Sequence, residues 1–590
     1  MAVCSPIGRY GGLRAFVAFS VVFFVIVGRS DAAVVSTTYG DVSGSEFLTS
    51  SVVENAVFDR VFTFKGIPYA APPVGDLRWR PPQDPASWTG VRDVTEFGSR
   101  CIQDPAAMAP EPYPIFREFL ARTNASSEDC LFLNVYTPEV SNTANLPVMV
   151  WVHGGGMVRG SADEYPAEIP TSLHNVVMVT TNFRLGNLGF LPTRDDDAPG
   201  NIGLLDLMKG LQWIQANIRN FGGDPDRVTI FGQSGGGWAV SLLVMSPMAT
   251  GLFHRAISQS GVAGIAITQK GDLTQTETLA RGLNCTTASY DDMMSCLRGK
   301  PSEAIAAGTT ATALIGGRLL PESPWDLMYK NRINRVDYLL GTNNDEFAYV
   351  DDDGLTRPEF EMQLSYSLRR ITSQYLGGMV NEILQPVIDQ YVDPASGNDP
   401  IYLGEQFLKQ GTDSAFAAPT VHMAQAAVYG NEQVYQYEFQ RASSVFSYRP
   451  SYIKADHGDE LFYTFGIPLL RDDTGASWKY NFTQEERDLS LDMMAYWVNF
   501  ATNGDPNDSS GAASTRNLVA WPRYMTSSQS YLQLDVTPST DDRLRDELMK
   551  FWNEEVPRLL GKDVRSGGDG GPSRSHVLLA FVLSVSYVFA

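Results

Sequence analysis

Short apolar runs alternate with a longer amphipathic stretch through the middle of the chain. Residues 148–152, 176–180 and 228–231 are rich in β-branched residues and contain few polar side chains, as do strands that are buried on both faces of a parallel sheet. Residues 201–220 carry apolar side chains at intervals of three and four, which is the spacing of an amphipathic helix. Strand, helix and strand in this order predict a right-handed crossover and an α/β fold with a large, mostly parallel sheet flanked by helices.

Two later apolar runs extend the predicted sheet. Residues 336–340 and 434–439 have the length and the β-branched or aromatic content of strands. In open α/β sheets, ligands bind outside the carboxyl ends of the strands. Candidate functional residues are therefore expected directly after strand ends.

One strand end carries the pattern G-x-S-x-G. Residues 228–231 run into GQSGG at 232–236, and the apolar residues 238–245 that follow predict a buried helix. A strand, a tight turn and a helix form a nucleophile elbow, in which the serine projects from the tip of the turn. Ser234 is therefore the candidate nucleophile. A glycine-rich loop with an incidental serine is the alternative, and partner residues elsewhere in the chain decide between the two.

A serine hydroxyl needs a neighbouring base to act as a nucleophile, and the usual base is histidine. Of the six histidines in the chain, His457 lies in a loop beyond the predicted strand 434–439, and His153 heads a glycine-rich loop. His457 is the candidate base. Structural or surface roles are expected for the other four, which lie in the C-terminal tail, at the start of a strand or in helix-like stretches: His576, His174, His254 and His422.

The base in turn needs a carboxylate that orients its ring. Strand 336–340 is followed by Asp345 and Glu346, and only one of these neighbours is expected to point into the site. Asp456 and Asp459 flank His457, but residues one or two positions away seldom reach the same ring. With Glu346 as the acid, the order along the chain is serine, acid, histidine, which is the order in α/β-hydrolases.

Residues 151–157, WVHGGGM, overlap the end of the first predicted strand and predict an oxyanion hole. Glycine lets the backbone approach a ligand closely with its amides free, and aimed N–H donors stabilise the developing negative charge of an acyl-transfer reaction. A phosphate-binding loop is the competing interpretation, but no Gly-Lys-Ser/Thr sequence follows the glycines.

Length and charge narrow the function classes. The chain has 590 residues, of which 43% are hydrophobic, and a formal net charge of −22. No linker-like stretch interrupts it before about residue 562, so residues 34–561 are predicted to form one domain. The negative charge argues against nucleic acid and anionic membrane surfaces as partners. No cofactor or metal is implied, and the sequence does not determine the oligomeric state, for which a homodimer is one candidate.

The N-terminus carries the features of a targeting signal. Arg9 and Arg14 precede the apolar residues 15–27, and small residues follow. Residues 1–33 are therefore predicted to form a secretory signal peptide, with a signal anchor as the alternative.

The C-terminus carries a second candidate signal. Small residues at 566–568 and a polar spacer lead to the apolar residues 577–590. This arrangement, within residues 562–590, predicts a glycosylphosphatidylinositol (GPI) anchor signal. A short transmembrane tail is the alternative to the anchor. The predicted location is the cell surface, and secretion of the protein is the alternative.

Cysteines and sequons agree with export. Cys4 lies in the predicted leader, and the even number that remains suggests two disulfides in an oxidising compartment. Three connectivities are open, of which pairing in chain order closes two compact loops. The remaining cysteines are Cys101, Cys130, Cys285 and Cys296. The N-x-S/T sequons predict glycosylation at Asn124, Asn284, Asn481 and Asn507.

Several long motifs together resemble the type-B carboxylesterases, the family that includes carboxylesterases, cholinesterases and bile-salt-activated lipases. The resemblance runs from about residue 35 to residue 560 and implies an α/β-hydrolase fold with serine esterase activity through an acyl-enzyme. Besides the elbow and the glycine loop, it rests on FKGIPYA at 64–70, EDCLFLNVY at 128–136, NFRLG at 182–186, GFL at 189–191 and FGGDP at 221–225.

The resemblance implies roles for particular residues. Ser234 is the nucleophile, Glu346 the acid and His457 the base. It also supports the pairing of Cys101 with Cys130 and of Cys285 with Cys296. The implied oxyanion donors are the backbone N–H groups of Gly155, Gly156 and Gly235.

Three departures separate the chain from the cholinesterases. Gln233 precedes the serine where cholinesterases usually carry Glu, and residues 101–130 contain no Trp that could bind quaternary ammonium by cation–π attraction. Residues 304–312 lack the aromatics that narrow the cholinesterase acyl pocket. A carboxylesterase acting on neutral esters is therefore predicted. A choline-ester hydrolase and an esterase-like adhesion ectodomain are the alternatives, and the filled triad positions disfavour the second.

Overall fold

The computed structural model describes most of the chain between residues 33 and 561. The predicted leader, except residue 33, and the predicted tail signal lie outside the described residues, as does Asn124. The described residues are 33–50, 52–104, 125–194, 200–262, 266–308, 311–346, 354–373, 380–429, 432–447, 449–471, 480–510 and 516–561.

Strands of these residues group into one large sheet and three small ones. The strands are β1 Val34–Thr37, β2 Gly40–Ser43, β3 Ser45–Leu48, β4 Arg60–Pro68, β5 Val91–Asp93, β6 Arg100–Cys101, β7 Ser126–Ser127, β8 Phe132–Thr137, β9 Leu146–Val152, β10 Val177–Thr181, β11 Gly223–Gln233, β12 Arg255–Gln259, β13 Ala266–Gln269, β14 Thr312–Ile315, β15 Asp337–Asn343, β16 Val434–Phe439, β17 Ser530–Leu534 and β18 Ser539–Asp542.

Helices connect and cover the strands. The α-helices are α1 Glu168–Leu173, α2 Gly186–Phe190, α3 Ile202–Asn217, α4 Gly235–Met245, α5 Thr274–Gly282, α6 Tyr290–Arg298, α7 Ser302–Ala306, α8 Pro324–Tyr329, α9 Arg357–Ser373, α10 Val380–Tyr391, α11 Pro400–Thr412, α12 Ala418–Val428, α13 Glu460–Thr464, α14 Gln484–Asn503, α15 Asp546–Lys550 and α16 Val556–Leu559. Single 3₁₀ turns lie at Gly75–Leu77, Ala162–Glu164, Ile218–Phe221, Pro247–Ala249, Ser444–Phe446 and Ile467–Leu469, and π-helical turns at Asp413–Ala417 and Phe551–Glu555.

The large sheet has eleven strands in the order β18-β17-β16-β15-β12-β11-β9-β10-β8-β4-β3. Neighbours from β10 to β17 pair in parallel, and the pairs at both edges are antiparallel. The five strands predicted from the sequence correspond to β9, β10, β11, β15 and β16. The predicted α/β-hydrolase fold, with a large and centrally parallel sheet, is confirmed.

Alternate residues of β9 enter two different hydrophobic clusters. Val150 and Val152 pack in the cluster that contains α3 and α4, whereas Met149 and Trp151 pack in the cluster that contains α14. Every residue of α4 is buried. The sheet therefore lies between two helical layers, and this is why its central strands are apolar on both faces.

Both expected disulfides are present. Cys101 is bonded to Cys130, which lie 4.9 Å apart between Cα atoms, and Cys285 is bonded to Cys296 at 5.7 Å. These are ordinary separations for disulfides. Within the described ranges, no helix combines the length and apolarity needed to cross a membrane.

The described sequons differ in the state of their asparagine side chains. Asn284 and Asn481 are exposed. Asn507 is also exposed, but its Nδ2 donates to Asp505 Oδ1 at 2.8 Å and to the Trp521 carbonyl oxygen at 3.0 Å. Attachment of a glycan to Asn507 would require the loss of one of these two hydrogen bonds.

Candidate active site

Ser234 occupies the tip of the turn between β11 and α4. It has φ 55° and ψ −122°, a backbone conformation that is strained for any residue except glycine. Its N–H donates to the Gln259 carbonyl oxygen at the end of β12, at 2.9 Å. The turn therefore has the strand, strained serine and helix that the G-x-S-x-G pattern predicts.

Two glycines of the turn are required by close backbone contacts. A Cβ atom on Gly232 would lie 2.6 Å from the carbonyl oxygen of Val152, and one on Gly236 would overlap the same oxygen. Non-bonded carbon atoms prefer separations of about 3.5–4.0 Å. Neither position can therefore hold a side chain unless the end of β9 moves.

The glycine loop after β9 lies directly against this turn. Gly155 and Gly156 have φ of 99° and 61°, and a Cβ atom on Gly235 would lie 2.7 Å from the backbone nitrogens of Gly156 and Met157. Among the described residues, no protein acceptor takes the N–H groups of Gly155 and Gly156. These donors and the N-terminus of α4 converge beside Ser234, where they can receive developing negative charge.

The predicted base and acid are in contact. His457 Nδ1 lies 2.6 Å from Glu346 Oε2. The other oxygen, Glu346 Oε1, accepts the backbone N–H of Asn343 at 2.7 Å, and the N–H of Glu346 donates to Thr412 Oγ1 at 2.9 Å. The Glu346 side chain is fully buried, and that of His457 is 15% exposed. A carboxylate held in this way keeps the ring proton on Nδ1 and leaves Nε2 as the acceptor.

The surroundings of His457 set the direction of its pKa. Burial of the ring lowers the pKa, but the hydrogen bond and the charge of Glu346, followed by the charges of Glu460 and Asp456, raise it. The net effect is a pKa above the ordinary value of about 6.5. A reaction that needs neutral His457 therefore loses rate as the pH falls through this raised pKa.

His457 Nε2 faces the residue before the serine. Its distance to Gln233 Nε2 is 3.3 Å, and with the ring proton on Nδ1 the amide is the donor. No hydrogen bond joins Ser234 to His457 within the described contacts. Hydrogen bonds of catalytic groups are often longer or differently paired in the free protein, and here Gln233 occupies the ring nitrogen that a base would offer to a serine. Sequence reasoning noted Gln233 as a departure but did not place it on the base.

Two further residues beside the base were not found from the sequence. Glu460 is buried, and its Oε2 accepts from Asn343 Nδ2 at 2.8 Å. Its burial and the charge of Glu346 raise the pKa of Glu460 to about 7. The Phe416 ring lies 4.9 Å from the His457 ring, between centroids, and belongs to the π-helical turn. The acidic residues at 456–460 could have pointed to Glu460 as a neighbour of the base. Nothing in the sequence identifies Phe416 as a contact of His457.

The remaining acidic candidates have other partners. Asp456 Oδ1 accepts the backbone N–H of His457 at 2.7 Å, and Asp459 Oδ1 accepts from Arg449 Nη2 at 2.9 Å. Asp345 contacts the backbone of Lys454. Glu346 is the carboxylate that reaches the ring of His457. In the part of the chain that the structure describes, no group of three or more His, Cys, Asp or Glu side chains is placed to hold a metal ion.

The other histidines have mostly the expected positions. His153 is buried in the glycine loop and stacks on Phe183 at 4.6 Å. His174 caps the C-terminal end of α1, and His422 lies in α12. His254 was expected in a helix-like stretch, but it precedes β12, where it accepts the backbone N–H of Val228 through Nδ1 at 3.2 Å and so has the structural role expected for it. The polar and aromatic residues around it do not distinguish a helix from a strand entry.

Comparison with known proteins covers nearly the whole chain. The profile described as the Carboxylesterase family matches residues 31–552. A duck (Anas platyrhynchos) protein named medium-chain fatty acyl-CoA hydrolase precursor is 36% identical over 92% of this chain and 95% of its own length. The human cocaine esterase is 38% identical over 90% and 93%, and mouse carboxylesterase 1C is 36% identical over 93% and 97%.

Proposed function

The chain belongs to the carboxylesterase family and is a carboxylic ester hydrolase, and we propose that Ser234, His457 and Glu346 are its catalytic triad. The observation that carries this proposal is the 2.6 Å contact between His457 Nδ1 and Glu346 Oε2 beside the strained serine. Three segments that lie far apart in the sequence supply the three groups, and each follows the carboxyl end of a parallel strand.

In the proposed reaction, the Ser234 hydroxyl oxygen attacks the ester carbonyl carbon while His457 Nε2 takes the hydroxyl proton. The tetrahedral oxyanion is held by the N–H groups of Gly155, Gly156 and Gly235. Collapse of this intermediate breaks the bond to the alcohol, which leaves with the proton from His457. Water then attacks the acyl-enzyme by the same route and releases the acid.

Before it takes a proton from the serine, His457 Nε2 must exchange one partner for another. Gln233 Nε2 donates to this nitrogen in the free protein. Entry of an ester places a carbonyl near the glycine loop and orients the serine hydroxyl toward the base. The amide of Gln233 therefore holds the base in its neutral form until the serine replaces it.

We propose neutral carboxylic esters as the substrate class. Gln233 puts a neutral amide beside the base, and the chain carries no Trp at residues 101–130, so neither a carboxylate nor that aromatic face selects a cation. The net charge of −22 disfavours anionic substrates. Related proteins are named for hydrolysis of an acyl-CoA and of cocaine. Of these two kinds of substrate, an uncharged ester of the cocaine kind fits the negative charge of this chain better.

Covalent labelling tests the proposed nucleophile. A 4-nitrophenyl alkylphosphonate should attach to Ser234, found by peptide mass mapping, and abolish hydrolysis of 4-nitrophenyl butyrate. Ser234→Ala should neither label nor hydrolyse, while Ser241→Ala, which changes a buried serine in the following helix, should do both. Hydrolysis by Ser234→Ala at a rate near that of the native protein would contradict the proposal.

We further propose that the protein is exported and held at the cell surface by a GPI anchor. Support comes from the apolar residues 15–27, from the small residues and apolar tail of residues 566–590, and from two disulfides. Phosphatidylinositol-specific phospholipase C should release the protein from intact cells. Retention on the cells after this treatment favours the short transmembrane tail.

Glycans are proposed at Asn124, Asn284 and Asn481, and Asn507 is the sequon expected to show the lowest occupancy. Its Nδ2 makes two hydrogen bonds to the surrounding loop. Peptide mapping after deglycosylation in heavy-oxygen water measures occupancy at each site. Full occupancy at Asn507 would contradict the ranking.

A further inference from the structure

Asp345 precedes the proposed acid Glu346, but its side chain contacts the opposite loop. Asp345 Oδ2 accepts the backbone N–H of Lys454 at 2.8 Å, and the backbone N–H of Asp345 donates to the Ala455 carbonyl oxygen at 3.0 Å. Asp345 is 9% exposed. One residue therefore makes both a side-chain and a backbone contact with the segment that leads into His457.

The two residues before Asp345 continue the same contact. Asn344 Oδ1 accepts the backbone N–H of Ala455 at 3.1 Å, and Asn343 Nδ2 donates to the Asp456 carbonyl oxygen at 2.6 Å. Residues 343–345 thus bond, in reverse order, to the backbone of residues 454–456. The next residue along each segment is a member of the proposed triad, Glu346 on one side and His457 on the other.

We propose that Asp345 is a positioning residue that holds residues 454–456 in register with residues 343–345, so that His457 Nδ1 meets Glu346. The proposal rests on the catalytic roles proposed above for Glu346 and His457. Asp345 is the only member of residues 343–345 that carries a charge, so its contact with Lys454 is the one that a change of protonation can weaken.

The groups around Asp345 have opposing effects on the pKa of its buried carboxyl group. Burial raises its pKa to about 6, the Lys454 N–H and the charges of Arg545 and Lys454 oppose this rise, and Asp456 adds to it. Arg545 is itself fixed, with Nη1 2.9 Å from Asp413 Oδ1 and Nη2 2.9 Å from Glu438 Oε1.

Arg545 precedes α15, Asp413 lies in the π-helical turn and Glu438 on β16. The Arg545 charge that acts on Asp345 is therefore held in place by contacts from the π-helical turn that carries Phe416 and from the central sheet.

The sign of the pH effect follows from this environment. Above about pH 6 Asp345 is ionised and accepts from Lys454 with full charge; below it, the neutral carboxylic acid accepts more weakly. Asp345→Asn keeps an oxygen acceptor of the same size but is neutral at every pH. Asp345→Ala removes the acceptor.

The experiment compares Asp345→Asn and Asp345→Ala in the full chain with 4-nitrophenyl butyrate from pH 5 to pH 9. We expect Asp345→Ala to lower kcat about 10–100-fold, since misplacement by about 1 Å can cost about 10²-fold, with KM changed less than about threefold. Asp345→Asn should recover most of this loss above about pH 7, where the native rate stays a few-fold higher. Below about pH 6 the native and Asn rates should converge.

Controls separate this inference from the proposed triad. Asp393→Ala removes an exposed aspartate that also accepts a backbone N–H, from Ala395 at 2.9 Å, and should leave kcat unchanged. A native kcat for Asp345→Ala, or a ratio of native to Asn rates that does not change with pH, overturns the positioning role. If Asp345→Ala does not fold, the Asn ratio alone decides. Activity in Ser234→Ala would overturn the triad instead, whatever the Asp345 variants do.

Discussion

The two halves of the candidate site are held by different forces. In the nucleophile half, residues 154–156 and 232–236, position is set by close contacts that leave no space for a Cβ atom at any glycine except Gly156. In the base half, residues 343–346 and 454–460, position is set by hydrogen bonds among buried amides and carboxylates. The nucleophile half contains no ionisable side chain other than the hydroxyl, whereas the base half contains six carboxyl and imidazole groups.

This difference predicts opposite sensitivities. Added volume should damage the nucleophile half because interiors are close-packed and neighbouring backbone cannot move freely. Changed charge or pH should damage the base half because each buried carboxylate depends on its partners. Gln233 is the point where the halves meet, since it belongs to the turn of Ser234 and contacts the ring of His457.

The largest effect should come from removing the charge of Glu346. In Glu346→Gln the amide no longer stabilises the imidazolium or its Nδ1 proton, and we expect kcat to fall about 10⁴-fold, as for the corresponding Asp-to-Asn change in a Ser-His-Asp triad. Hydrolysis of 4-nitrophenyl butyrate at pH 8 measures it. Asp337→Asn, which neutralises a carboxylate at the start of the same strand, is the control and should stay within about threefold of the native rate. A Glu346→Gln rate above a tenth of native would show that the base half does not work by charge.

The next effect tests volume in the nucleophile half. A Cβ atom in Gly235→Ala would lie 2.7 Å from the nitrogens of Gly156 and Met157, so the loop of oxyanion donors must shift away. We expect kcat to fall about 10²-fold, the usual loss for one oxyanion donor. The pH at which the rate halves on the acid side should not move, because the contact between His457 and Glu346 is untouched. This acid side of the pH–rate profile is the acid limb. A shift of the acid limb would show that the nucleophile half and the base half are coupled.

A smaller effect, on stability, should separate two glycines that differ only in their surroundings. Gly236→Ala places a Cβ atom onto the Val152 carbonyl oxygen, and we expect the free energy of unfolding to fall by about 1–3 kcal/mol. Gly210→Ala lies within α3, where the Cβ atom meets Thr181 Oγ1 at an ordinary 3.5 Å. It should be neutral or gain about 0.5–1 kcal/mol. Urea unfolding curves measure both, and equal midpoints would contradict the steric argument.

The same contrast explains how far the sequence could predict the site. Apolar runs and G-x-S-x-G are local patterns, so β9, β10, β11, β15 and β16 were placed within a few residues, although β11 starts five residues earlier than expected. Ser234, Glu346 and His457 could be proposed from the sequence because each follows a strand end or its loop. Their separation along the chain did not matter, since parallel strands bring their carboxyl ends together.

Contacts between distant side chains could not be predicted in this way. The bond from Gln233 to His457 spans 224 positions, and that from Asp345 to the Lys454 backbone spans 109. Which of two adjacent acids faces the base depends on how residues 343–346 turn after β15, and no local pattern states that. The contacts of Asp345 with residues 454 and 455 therefore became known only from the structure.

The smallest effect lies where the halves meet. Gln233→Glu keeps the size of the side chain but puts a carboxylate beside His457 Nε2, in place of the amide 3.3 Å away. The carboxylate favours the charged imidazolium, so the pKa of His457 should rise and the acid limb should move to higher pH. Above this limb, where the ring is neutral, kcat for a neutral ester should change by less than about tenfold. Gln233→Met removes the hydrogen bond that favours the neutral ring but adds no charge, so it should move the limb in the same direction by a smaller amount.

Two esters of the same shape extend this test to specificity. Choline butyrate and its uncharged analogue 3,3-dimethylbutyl butyrate differ only in the positive charge of the alcohol. Coulomb attraction to the new carboxylate should lower KM for the choline ester in Gln233→Glu and leave the uncharged ester nearly unchanged. Gln233→Met should alter both esters alike. The idea fails if Gln233→Glu and Gln233→Met give the same acid limb and the same ratio of KM values for the two esters. The neutral amide of Gln233 then does not set the charge beside His457, and the preference for neutral esters has another cause.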